Sequence, residues 1–368
     1  MLSSTMPAFL KILIAIAVLG GLMGIGLWID ATWQTTPAFR WPTATTNRLP
    51  VVYSPAYNLG LFGIERLHPF DTRKYEGVFN RLREARWLDG SNHYEAAPLP
   101  PDVLLRFYDA AFLQSLSDPN EAARISEIAP LALLPRPLIE RHLLRAFRFQ
   151  TGGTAMAAEL AVAQGWAINL GGGFHHAGLT QADGFCFLAD LTLAVRLVRE
   201  RHADIRKIMI IDLDAHQGDG HERDLGDDTE VFTVDLYGGE NYPWAHDLKP
   251  KIEIDRPLPA LVRDAVYLKV LDEALDEAFR RFQPDLVFYV AGSDVLAGDP
   301  LGQLDISADG VVLRDEKVFA KTFAAGARLV MTFGGGYQKS NAPLIARSIL
   351  NLEQKFDLAR RAENQSSS

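Results

Sequence analysis

The sequence predicts an α/β fold: a single domain with a central, mostly parallel sheet covered by helices on both faces, plus an N-terminal apolar helix. Three observations predict it. Apolar, β-rich runs recur at 166–170, 207–213, 231–236, 286–290 and 329–333, and they are continuous rather than alternating. Strands of that kind are buried on both faces, as in parallel sheets. Helix-like stretches separate the runs, at 186–201, 263–281, 310–325 and 342–360. Finally, the residues able to do chemistry sit just past the ends of the runs, where open α/β sheets bind ligands.

The run at 166–170 feeds Gly171-Gly172-Gly173-Phe174-His175-His176. Glycines let a backbone approach a ligand closely. A histidine pair placed by such a turn suits general acid/base work, although adjacent loop histidines are also found by accident. The run at 207–213 leads into Asp212, Asp214 and His216 at alternating spacing. Alternation puts all three on one side of a strand end. Two carboxylates and an imidazole at one point call for a cation between them. The Asp/His mixture suits zinc or iron better than calcium; a solvated acidic turn is the plain alternative. The run at 286–290 ends in Gly292-Ser293-Asp294, a natural third ligand. Three protein ligands leave a position for water or substrate. The last run leads into Gly334-Gly335-Gly336-Tyr337. A tyrosine there is either a packed aromatic or, with its pKa of about 10, a protonated donor to an oxyanion.

In chain order, GGGFHH, DGFCFLAD, IIDLDAHQGDGHERD, AGSDVLAGDPLGQLDIS and GGGYQ resemble the zinc-dependent histone deacetylase family. VVYSPAYN (51–58), RLHPFDTRKY (66–75) and QTGGT (150–154) resemble its class IV branch, and the similarity runs from about residue 49 to 352. The resemblance implies hydrolysis of the amide of an N6-acyl-lysine, acetyl or longer. It implies Asp214, His216 and Asp294 as ligands of Zn2+, with Fe2+ as the alternative metal. His175 and His176 become the histidine pair, oriented by Asp212 and Asp219. His176 takes and returns the proton, and Tyr337 faces the pair. Gly184 and Phe185 form one wall of the acyl-lysine channel, Tyr242 the facing wall and Leu301 the rim. Many deacetylases have a serine at the position of Asp235, where it helps bind potassium. A carboxylate is a stronger cation ligand, so K+ is expected at Asp212 and Asp235, with a local salt bridge or hydrogen bond as the alternative. Class IV members remove fatty acyl groups as well as acetyl, and the sequence does not show channel depth. Rival functions are a deacetylase of small acylated amines such as acetylpolyamines, an arginase-like binuclear ureohydrolase, and an inactive acyl-lysine binder. No expected catalytic residue is missing, which weighs against the last.

The N-terminus reads as a separate unit. Residues 12–29 are uncharged and nearly all apolar, between Lys11 and Asp30. A length of roughly 18 residues reaches the lower range for a membrane span. It predicts a single-pass anchor over 1–30 and a membrane localisation, with the side undetermined. A buried core helix, a cleaved signal peptide and a start codon set too far upstream are the rivals. Residues 31–48 read as a linker, with Trp28, Trp33 and Trp41 suited to the membrane surface. The catalytic domain is expected at 49–355 and a C-terminal tail at 356–368. The chain carries 37 Lys+Arg against 46 Asp+Glu, a net charge of −9, and no basic run suggests direct nucleic-acid binding. Expected partners are an acylated lysine protein or a small acylated amine, and the membrane. Cys186 is the single cysteine, so no disulfide framework exists.

Overall fold

The structure, a computed structural model, describes residues 38–61 and 63–365. Its centre is one eight-stranded sheet: β1 (Val51–Tyr53), β2 (Tyr94–Glu95), β3 (Trp166–Asn169), β4 (Ile208–Asp212), β5 (Val231–Gly238), β6 (Ile254–Leu258), β7 (Leu286–Val290) and β8 (Arg328–Thr332). The order is β2-β1-β3-β8-β7-β4-β5-β6, and every pairing is parallel. All five strands read from apolar runs are present. β4, β5 and β7 are buried along their whole length, which is why those runs carry no polar face. The sequence did not reveal β1, β2 and β6. β1 and β2 have three and two residues. β6 contains Pro257, which is tolerated because this strand is an edge.

The helices that frame the site are α1 (Lys74–Glu84), α2 (Arg145–Gln164), α3 (Asp190–Arg201), α4 (Asp219–Leu225), α5 (Asp264–Arg281), α6 (Ala308–Ala324), α7 (Asn341–Phe356) and α8 (Leu358–Gln365). Helices α2 and α3 pack together, while α5, α6, α7 and α1 pack in succession. Helix α2 escaped the sequence reading because Gly152 and Gly153 interrupt it. Both are contact residues: a Cβ at 152 would lie 1.9 Å from the Ala97 carbonyl oxygen, and one at 153 would lie 1.9 Å from the Tyr57 hydroxyl. The single helix expected over 342–360 is broken at Asp357, whose φ is 52°. Leu358 is buried beyond it, and its carbonyl accepts from Trp166 Nε1 at 3.0 Å. Part of the expected tail is therefore a docked helix.

The expected membrane localisation is corrected. Among the described residues, no helix is long and apolar enough to cross a membrane. The apolar helix and anchor expected over 1–30 lie outside the described residues, as do Trp28 and Trp33. Trp41 is not free for a membrane surface. Its ring meets Phe39 edge-on at 5.0 Å and lies 4.2 Å from the Arg201 guanidinium.

The four strands β3, β8, β7 and β4 are consecutive neighbours in the sheet, and the segments with His175 and His176, Tyr337, Asp294, and Asp214 and His216 leave their carboxyl ends in that order. Arg314 of α6 ties two of these ends together. It is fully buried, and its Nη1 donates to the carbonyls of Leu213 at 3.1 Å and Gly292 at 2.6 Å.

Candidate active site

The turn after β3 is held from inside. Asp190 accepts from the amides of Gly173 at 2.9 Å and Phe174 at 2.8 Å, and Gln150 Oε1 accepts from the Gly172 amide at 3.0 Å. This fixes the two histidines that follow. His175 Nδ1 lies 2.9 Å from Asp212 Oδ2, and His176 Nδ1 lies 2.7 Å from Asp219 Oδ1. Arg223 donates to the other Asp219 oxygen at 2.9 Å. The two imidazoles are buried, with centroids 4.1 Å apart. Burial and the neighbouring His175 push His176 down to about 4, so it is neutral at neutral pH. Burial opposes charge on His175 too, but Asp212 and Asp214 outweigh it and hold that ring up at about 9.

Asp214, His216 and Asp294 are buried and bring their donor atoms within 4.8 Å of one another. His216 Nδ1 lies 3.0 Å from both Asp214 Oδ1 and Asp294 Oδ2. Burial acts against its charge, yet hydrogen bonds to both carboxylates lift it to about 10. Burial and the Asp214 charge push Asp294 up to about 7. Two carboxylates converging on one imidazole in a buried site call for positive charge, and the donor set fits zinc.

The turn carrying Tyr337 is clamped by a residue the sequence did not single out. The Lys74 ammonium is buried and donates to the carbonyls of Gly334 at 3.0 Å, Gly335 at 2.8 Å and Gly336 at 3.4 Å. Tyr75 donates to Gly334 O at 3.1 Å, the Gly335 amide to Asp214 at 2.7 Å, and the Tyr337 amide to Asp299 at 2.9 Å. The Tyr337 ring stands edge-on to His216 at 6.2 Å. Burial, then Asp294 and Asp214, keep its hydroxyl protonated, far above the usual tyrosine value.

Gly184 and Phe185 adopt φ of 52° and 61° beside the histidines. Tyr242 meets His176 edge-on at 5.0 Å. His68 stacks on Phe185 at 4.6 Å and 14° and meets Tyr337 edge-on at 6.0 Å. Leu301 is at the surface, 36% exposed, with its amide bonded to Asp299. Asp235 lies opposite Asp212 in the β4–β5 register, and its Oδ2 accepts from the Gly218 amide at 2.9 Å. The structure therefore gathers every expected ligand and catalytic side chain at one sheet end, with Leu301 outside that group. It also adds His68, Lys74, His221 and Asp299, which sequence reasoning did not weigh individually. His68 and Lys74 fall within RLHPFDTRKY, so the motif was visible but their work was not.

A buried Asp/His/Asp group beside a carboxylate-backed histidine pair, faced by a tyrosine, is the layout of an amidohydrolase. Comparison with known proteins narrows this class. A histone deacetylase domain matches residues 68–352. The chain is 44% identical over 319 residues to histone deacetylase 2 of Arabidopsis thaliana, covering 86% of this chain and 82% of that protein. The chain belongs to the histone deacetylase family. It also matches an uncharacterised protein of Picosynechococcus sp., 33% identical over 306 residues, covering 82% and 96% of the two chains. Its fold is shared with an HDAC homologue solved in complex with SAHA, at 19% identity and a TM-score of 0.65, with 87% of each chain covered. Acetylpolyamine aminohydrolase from Burkholderia pseudomallei shares it too, at 18% identity and a TM-score of 0.64, covering 82% of this chain and 98% of that one.

Proposed function

We propose that this chain hydrolyses the amide of an N6-acyl-lysine, using one zinc ion held by Asp214, His216 and Asp294. The observation that carries this reading is their convergence with the His175–Asp212 and His176–Asp219 pairs at one sheet end. Zinc, when bound, is a Lewis acid that lowers the pKa of water to about 7. His176, neutral and oriented by Asp219, takes a proton at Nε2 and returns it to the departing lysine amine. The Tyr337 hydroxyl donates to the oxyanion that develops on the amide oxygen. Gly184, Phe185 and Tyr242 bracket the lysine chain, and Leu301 meets whatever flanks it. A class IV reading is supported by the resemblance of residues 51–58, 66–75 and 150–154 and of the closing run at 337–339 and 348–352 to that branch.

The pocket lined by His175, His176, Gly184, Phe185 and Tyr337 also reaches Leu59, Phe70, Phe147 and Phe174, and its cavity volume is about 30 Å³. That volume is room for about two or three waters, which supports a short acyl group. A monovalent cation such as K+ is supported beside Asp235. Asp235 Oδ1 and Glu222 Oε1 are both buried without a donor from another residue, and the two carboxyls lie against each other, so that burial, Asp212 and Glu222 push the Asp235 pKa well up and either a proton held between them or a cation satisfies the pair. Asp212 is the weaker donor to such an ion, because its oxygens already accept from His175, His221 and the Asp214 amide.

The test is hydrolysis by the zinc-loaded protein of lysine peptides carrying acetyl through myristoyl groups, and of acetylspermidine, with His176→Ala as the blank. Acetyl-lysine should give the highest kcat/KM. A rise with chain length would overturn the short-acyl reading. Turnover of acetylspermidine alone would move the substrate to small acylated amines. No turnover of any amide would overturn the function.

A further inference from the structure

His221 sits in α4, three residues after Gly218, and is 1% exposed. Its Nε2 lies 3.0 Å from Asp212 Oδ2, the oxygen that also meets His175 Nδ1 at 2.9 Å. The Asp212 Oδ1 accepts from the Asp214 amide at 3.1 Å. The other ring nitrogen of His221, Nδ1, is buried and has no hydrogen-bond partner. Of the two neutral tautomers, the one with its proton on Nε2 donates to Asp212 and leaves only a lone pair at the bare nitrogen. The other would bury an unpaired N–H and set a lone pair against a carboxylate. The proton therefore belongs on Nε2, and Asp212 stands between two imidazole donors. Gly218 makes this contact sterically accessible. A Cβ there would come within 2.1 Å of His221 Nε2 and 2.5 Å of Asp212 Oδ2.

We infer that His221 is a positioning residue for the hydrolysis. It holds the Asp212 carboxylate in the one orientation that keeps His175 Nδ1 bonded and turns His175 Nε2 toward the reacting amide. The inference rests on the proposed role of the histidine pair, because His221 acts only through Asp212. No other hydrogen-bonding side chain among those described fixes Asp212 from the side away from His175.

The test compares His221→Val, which cannot donate, with His221→Gln, whose amide can. Turnover is expressed per bound zinc. The valine variant should lose roughly 10- to 100-fold in kcat, the range seen for residues that orient a metal site from behind, with KM unchanged. The glutamine variant should recover most of it. A second readout needs neither zinc nor substrate: the hydrogen-bonded Nδ1 proton of His175, observed by NMR in the zinc-free protein. That resonance should weaken or exchange faster in the valine variant and persist in the glutamine variant. If the valine variant does not fold, His221→Asn, too short to reach Asp212, replaces it. Unchanged kcat together with an unmoved resonance would overturn the inference, as would equal losses in the glutamine and valine variants. If the wild type hydrolyses no amide, the proposed function fails, and the resonance still tests the hold of His221 on Asp212.

Discussion

Tyr337 reaches the site through a single hydroxyl, and its backbone is fixed independently by Asp299 and the Lys74 clamp. Removing that oxygen should therefore leave the site's architecture in place. We expect Tyr337→Phe to fold and bind zinc like the wild type while kcat falls about a hundredfold to a thousandfold, the usual loss for one oxyanion donor. Circular dichroism, zinc content and steady-state kinetics check this, and wild-type turnover would remove the hydroxyl from the mechanism. At this scale the site was largely legible in the sequence. Asp212, Asp214 and His216 stand at alternating positions beyond an apolar run, and side-chain alternation is a local property of the chain. His221 and Asp299 were not legible. Each is a common polar residue in a loop or short helix, and only the tertiary fold shows what its side chain or backbone partner does. The backing of His176 by Asp219 could be named only through the family resemblance.

At the level of elements, the side chains proposed for catalysis follow four adjacent strand ends, but α1 decides how one of those ends is shaped. Its Lys74 donates to three successive carbonyls of the turn after β8. Burial lowers its pKa to about 8, opposed by the nearby Asp294, Asp214 and Asp299. Replacing it by methionine keeps the length and loses the donors. Hydrogen bonds to charged groups are worth about 1.5–3 kcal/mol each at most sites, and of the carbonyls left behind that of Gly336 is buried and those of Gly334 and Gly335 are half-buried. Lys74→Met should lower the urea midpoint with the m-value unchanged, and should lower kcat because the turn under Tyr337 loosens. An unchanged midpoint and kcat would mean that the other contacts of the turn suffice. This link joins a helix near residue 74 to a turn near 335. No local pattern encodes it, in contrast to the continuous strands, whose burial is written into each run. The same limit hid α2, since its paired glycines read as breakers until Ala97 and Tyr57 are seen pressing on them.

For the molecule as a whole, the proposed metal group joins segments that are far apart in the chain, because Asp214 and His216 follow β4 while Asp294 follows β7. An ion bound only in the folded state stabilises the entire fold, by about 2.7 kcal/mol when free zinc is a hundred times its Kd. Without the ion the same group is under strain. Burial and the Asp214 charge both disfavour charge on Asp294, which is pushed up to about 7. Two opposite effects are therefore expected of Asp294→Asn, which removes the charge and keeps the shape. In chelator at pH 8 the variant should be at least as stable as the wild type, because it no longer buries a second carboxylate beside the first. In zinc it should be the less stable of the two, because the wild type gains from the ion and the variant does not. Urea midpoints measured in both conditions would reveal the crossing. If zinc raised both midpoints equally, the ion would bind elsewhere, and Asp214, His216 and Asp294 would not be its site.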